Sequence, residues 1–205
     1  MAIAAISELL SRQQESTMVS DSYPKNSLDN PDSIHLSIEK KSGAKRAVNV
    51  QMWLDHPIEK VWQLITNYEQ LSELIPNLAH SHQLSQSETS KHLEMIGVCR
   101  IFNLDFSIRL VLNVVEFPPY QIQTQLIEGD LRSYLGQWQL QEVHDCTTLL
   151  TYSAEIVPKA GIPIDLLEYQ ARRLLPVNFL AIRQYLDQVN SSRKTHLISP
   201  HDDHP

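Results

Sequence analysis

The stretch from Val48 to Pro76, VNVQMWLDHPIEKVWQLITNYEQLSELIP, constrains the fold more than any other part of the chain. Val48 to Leu54 reads as a strand that stops at Asp55-His56-Pro57. Ile58, Val61, Trp62 and Ile65 then recur at helical spacing. Asp55 or His56 can cap this helix, and Pro57 suits its first turn because the missing N–H costs nothing there. Asn67-Tyr68 breaks the pattern, and a second short helix runs to Leu74-Ile75 before Pro76. A strand and two short helices, followed by a meander of strands, require a sheet curved enough for another element to close it.

That element lies at the other end of the chain. Ile164 to Val189 reads as one long helix with a mostly apolar stripe of Leu167, Ala171, Leu174, Leu175, Asn178, Ile182, Tyr185 and Val189. Pro176 falls inside it and predicts a kink, which either gates the space beneath the helix or follows the curvature of the sheet. Between the helical parts, Leu104, Phe106, Ile108, Leu110, Leu112 and Val114 recur at a period of two with Asp105, Ser107, Arg109 and Asn113 in between, as in a half-buried strand. Tyr120, Ile122 and Leu126 continue after a turn at Phe117-Pro118-Pro119. Trp138 and Leu140 follow, and then Leu150, Tyr152, Ala154 and Ile156 after a turn near His144-Asp145. Short connections between successive strands imply antiparallel pairing, with six or seven strands expected in all.

This order resembles the START-like, or helix-grip, superfamily, also called SRPBCC, an α+β fold in which a curved antiparallel sheet wraps the last helix. The wording from Pro57 through Leu71, PIEKVWQLITNYEQL, followed by Ile75-Pro76-Asn77-Leu78, is similar to one branch of it. That branch is the polyketide cyclase/dehydrase family, which includes the coenzyme Q-binding proteins. The resemblance spans Arg46 to Asn190. It implies two short helices after the first strand and a cavity between sheet and C-terminal helix. It carries over no nucleophile and no metal ligand, and fold analogy alone assigns no reaction.

Within such a fold, alternation places Leu110, Leu112, Ile122, Leu126, Trp138, Leu140, Leu150, Tyr152 and Ala154 on the face toward the cavity. Thr124 and the Tyr152 hydroxyl are the polar exceptions, and Leu167 and Leu174 face the sheet from the helix. The candidate ligand-binding set is therefore Leu110, Leu112, Ile122, Thr124, Leu126, Trp138, Leu140, Tyr152, Leu167 and Leu174, with no catalytic residue. An apolar wall with few polar handles suits a quinone, isoprenoid, lipid or polyaromatic ligand. The same side chains could instead simply fill a small core. Arg109 and Arg132 are expected to point outward.

Composition agrees with one domain: 205 residues at 42% hydrophobic content bury one sizeable core. A net charge of −7 argues against a nucleic-acid surface, because phosphate contacts need clustered Lys and Arg. No apolar run approaches the ~20 residues of a membrane span. Cys99 and Cys146 fall in strand-like runs and read as buried free thiols of a reducing compartment. The expected location is cytoplasmic, with peripheral contact at a membrane surface left open, and the expected oligomeric state is a monomer. Residues 1–45 read as a flexible leader, rich in Ser, Asp, Asn and Pro over Ser20 to Ser33, with Met18 an alternative start. Residues 46–190 form the ligand-binding domain and 191–205 a disordered tail.

Nine histidines invite a metal reading. His80 and His82 would share one strand face, but no third ligand stands near them in sequence, and an exposed strand edge is the expectation. No metal and no cofactor are expected. Three functions follow, in different classes. The first is a non-catalytic carrier or chaperone of a hydrophobic small molecule. The second, implied by the family name, is a polyketide-type cyclase or aromatase, for which the chain offers only Tyr152 and Tyr120 as inward acid/base groups. The third is a ribosome-associating interaction module, also implied by the resemblance, which the acidic balance disfavours. The carrier leads, and the protein is read as leaning away from an enzyme.

Overall fold

Period-two alternation along successive runs builds one antiparallel sheet, and the computed structural model describes it through residues 33–101, 104–144 and 146–196, with side chains at 33–100, 105–144 and 146–189. The strands are β1 (Ile34–Lys40), β2 (Arg46–Leu54), β3 (Leu78–Gln86), β4 (Lys91–Ile101), β5 (Leu104–Phe117), β6 (Gln121–Gly129), β7 (Leu131–His144) and β8 (Thr147–Pro158). They form a single sheet in the order β1-β2-β8-β7-β6-β5-β4-β3. Two short helices, α1 (Ile58–Ile65) and α2 (Leu71–Leu74), connect β2 to β3 through a tight turn at Tyr68–Gln70, and α3 (Ile164–His196) follows β8. This is the START-like, helix-grip arrangement.

Strand β1 corrects the flexible leader expected over residues 1–45. Ile34, Leu36 and Ile38 alternate and pair with Met52, Val50 and Val48 of β2. The run is short and adjoins a polar stretch, and its strand character comes from pairing with β2. The two short helices consequently follow the second strand, not the first. At the other end, α3 continues to His196, beyond the expected boundary at 190, so the first residues of the expected tail are helical. Residues 1–32, including Met18, and the histidines at 201 and 204 lie outside the described residues.

Register carries the apolar pattern across the sheet. Val50 faces Tyr152, Tyr152 faces Trp138, and Trp138 faces Ile122. Leu112 lies between Leu93 and Leu126. Partners at one register share a face, so these residues line the same concave side. The core on that side is built from Val50, Met52, Leu54, Leu93, Val114, Ile122 and Leu150, each at most 2% exposed, with Val61 of α1 and Phe179 of α3 packed onto them.

The buried face of α3 differs from the expected stripe. Phe179, Ile182 and Leu186 are buried, whereas Tyr185 and Val189 are 41% and 38% exposed. Spacings of three and four select the first set, and Tyr185 and Val189 fall on the adjoining face. The helix runs through Pro176 as one element. Its backbone runs close to β1, β2 and α2.

The junctions at α1 also differ from expectation. Neither Asp55 nor His56 caps the helix, whose N-cap is Pro57 with no side-chain hydrogen bond. His56 is instead 2% exposed, with Nε2 2.8 Å from Asp187 Oδ1 of α3, and its carbonyl accepts a hydrogen bond from Thr148 Oγ1. A residue read as a cap thus joins the start of α1 to α3 and β8. Cys146 is likewise not buried: it is exposed in the β7–β8 turn with φ of 67°, while Cys99 on β4 is half-buried. Cys146 falls in the turn directly before β8, where its left-handed backbone keeps it out of the strand.

Candidate functional site

Four inward positions of β7, Tyr134, Gly136, Trp138 and Leu140, set the floor of the concave face. Trp138 is its aromatic centre. Its ring lies 4.7 Å from that of Tyr152, and 5.6 Å from that of Phe179 at an interplanar angle of 16°. One contact runs across the sheet, and the other joins the sheet to α3. Offset aromatic pairs of this kind contribute about 0.5–1.5 kcal/mol beyond the area they bury.

Burial divides the ten candidate residues into two groups. Leu112, Ile122 and Leu140 are fully buried members of the core. Leu110, Thr124, Leu126, Trp138 and Tyr152 on the sheet, with Leu167 and Leu174 on α3, are half-buried. Met95 and Ile108 are half-buried beside Leu110 on the same face. Half-buried and fully buried apolar residues thus intermingle across the face, and the half-buried ones include Tyr152 and Trp138, on which Phe179 of α3 packs.

The polar handles of this face form a chain. Thr124 Oγ1 donates to the Tyr134 phenol oxygen at 3.5 Å, and the Tyr134 and Tyr152 oxygens are 3.0 Å apart. Gly136 makes room for it, since a Cβ there would collide with the Tyr134 hydroxyl and with Thr124 Oγ1. Burial raises the pKa of both phenols, that of Tyr152 well above its ordinary value, so both remain protonated at neutral pH. Neutral phenols are hydrogen-bond donors rather than bases.

Charged residues stand around this face rather than in its centre. Lys91 Nζ and the Tyr68 hydroxyl both reach Glu116 Oε1, at 2.6 and 2.7 Å, and tie the turn before α2 to β4 and β5. Burial, followed by the Glu116 hydrogen bond, raises the Tyr68 pKa far above its ordinary range. Near the start of α3, Arg46 Nε lies 3.2 Å from Glu168, which also accepts from Arg172 at 3.0 Å. Those two hydrogen bonds, that of Arg172 first, lower the Glu168 pKa. Gln170, between Glu168 and Arg172 on the helix, is buried with neither amide atom hydrogen-bonded.

The remaining candidates lie elsewhere. Arg109 points outward, bonding Glu94 and Glu128. His80 and His82 are exposed on β3, beside Glu94 and Glu69 respectively. No group of three potential metal ligands occurs among the described residues. Sequence reasoning missed Tyr134, Gly136 and Phe179. The parity of Trp138 and Leu140 extends back to Gly136 and Tyr134, which is the signal that could have found them. Phe179 lay next to Asn178 in the expected helical stripe, one position from recognition.

A family profile described as polyketide cyclase / dehydrase and lipid transport matches residues 54–183. The chain belongs to this family. The match runs from the end of β2 through both short helices and the sheet into α3, and so contains most of the concave face. Solved structures share the fold. The Zhui aromatase/cyclase from Streptomyces sp. R1128 aligns at TM-score 0.62 and 13% identity, covering 70% of this chain and 94% of that one. A STAR-related lipid transfer protein from Xanthomonas axonopodis aligns at 0.59 and 14%, covering 74% and 98%. A START superfamily protein from Mycobacterium smegmatis aligns at 0.57 and 17%, covering 70% and 98%. No curated protein matches the chain. This member of the polyketide cyclase and lipid transport family has no helix among its described residues that is long and apolar enough to cross a membrane.

Proposed function

We propose that the protein binds one hydrophobic small molecule, of the quinone, isoprenoid, lipid or polyaromatic kind, between the concave face and α3, and carries it without transforming it. The observation that carries this reading is the half-burial of Trp138 and Tyr152 in the middle of the concave face, with Leu110, Thr124 and Leu126 half-buried beside them. A packed interior at protein density leaves no such access to its middle. Membership in a family described by lipid transport supports the ligand class. The neutrality of the two phenols favours a carrier over a cyclase, because general base catalysis needs a group that ionises near working pH. Exchange of the ligand at a membrane surface belongs to this reading, with Val98 and Phe106, both exposed, as its apolar contacts.

The test is a fluorescence titration with a long-chain quinone and with a fatty acid. Saturable quenching is expected in the wild type and in Trp62→Phe, and its loss in Trp138→Phe. Native mass spectrometry should show a co-purifying apolar molecule. Absence of both quenching and co-purification would remove the carrier reading.

A further inference from the structure

The hydroxyl chain on the floor of the sheet has one proton too many. Thr124, Tyr134 and Tyr152 each carry one O–H donor, and two contacts join them, at 3.5 and 3.0 Å. Each contact uses one proton, so one of the three stays unassigned whichever way the chain is oriented. Because Thr124 donates to Tyr134, the spare proton rests on a tyrosine. Surplus lone pairs on such a chain cost little, since an oxygen often uses one of two, but a buried donor without an acceptor costs the desolvation of that group. Tyr134 is 8% exposed and cannot turn its hydroxyl to bulk water. Around the chain stand Ile122, Trp138 and Ala154, which offer no acceptor from their side chains.

We infer that the Tyr134–Tyr152 pair is a recognition point for a single acceptor oxygen, a carbonyl or quinone oxygen, on an otherwise apolar ligand. The inference rests on the carrier reading and narrows it: oxygen-bearing ligands are selected over hydrocarbons of the same size. Gly136 is the specificity-determining position behind the pair, because any Cβ there would displace the Tyr134 phenol and Thr124 Oγ1. Raised phenol pKa values keep the spare proton in place across the physiological range. The arrangement discriminates strongly because a hydrocarbon in the same space leaves the donor unpaired.

The experiment compares a long-chain ketone with the alkane of the same length, in the wild type and in Thr124→Val/Tyr134→Phe/Tyr152→Phe, since removing the phenols alone would leave the Thr124 hydroxyl as a spare donor. The wild type should bind the ketone about tenfold more tightly, and the triple variant should bind both equally. Retained alkane binding shows that the variant is folded. Independently of any variant, the infrared stretch of a ¹³C-labelled carbonyl should move to lower frequency in the wild-type complex than in alkane solvent, as for a carbonyl that accepts a hydrogen bond. Equal binding of ketone and alkane by the wild type, a preference that survives the triple substitution, or an unshifted carbonyl stretch would overturn the inference and leave the carrier reading standing. If neither compound binds the wild type, both fall.

Discussion

The indole of Trp138 on β7 and the ring of Phe179 on α3 are stacked, with centroids 5.6 Å apart and planes 16° from parallel. This contact holds the helix over the middle strands of the sheet. Phe179 is 1% exposed. Phe179→Ala removes the stack and opens a cavity, and is expected to cost about 3–5 kcal/mol in urea unfolding. The emission of Trp138 should shift to the red as water reaches the indole. A loss below 1 kcal/mol would mean that α3 is held from elsewhere.

Gly136→Ala is expected to destabilise by about 1–3 kcal/mol through overpacking, although Ala is usually tolerated in a strand. The collision is with the Tyr134 hydroxyl and Thr124 Oγ1. In a Tyr134→Ala/Thr124→Ala background the cost of the glycine substitution should largely vanish, and the interaction energy of that cycle measures the clash. Additive costs would show that Gly136 is needed for another reason.

Tyr68→Phe deletes a 2.7 Å hydrogen bond to Glu116, a carboxylate that also pairs with Lys91. Hydrogen bonds to charged groups contribute about 1.5–3 kcal/mol, and a loss in that range is expected in chemical denaturation. Ligand affinity should fall less than stability, because the cluster docks the turn before α2 instead of forming the centre of the concave face.

Acid should weaken the Arg46–Glu168–Arg172 cluster. Hydrogen bonds from Arg172 and then Arg46 lower the Glu168 pKa from its ordinary 4.5. A folded-state pKa below the unfolded one gives stability that is fully present above the unfolded value and is lost as pH falls through the folded one. The Tm of the wild type should exceed that of Glu168→Gln at neutral pH, and the gap should close below about pH 4.5. A gap independent of pH would assign the effect to packing alone.

Local pattern determined much of this protein. Period-two runs such as Ile108 to Val114 and the helical spacing of Ile58, Val61 and Ile65 depend only on which residues must share a face, so the strands, the short helices and the helix-grip order were legible. The inward parity of Leu110, Trp138 and Tyr152 followed for the same reason, since side chains on a strand alternate by geometry. Tertiary structure decided what needs a partner from far along the chain. Ile34–Lys40 is a strand because Arg46–Leu54 lies beside it. His56 is buried and meets Asp187, 131 residues away, at 2.8 Å. The parity of Trp138 extends to Tyr134, but only folding brings its oxygen against Tyr152 of the neighbouring strand, because hydrogen-bond geometry acts between strands that the sequence leaves unpaired.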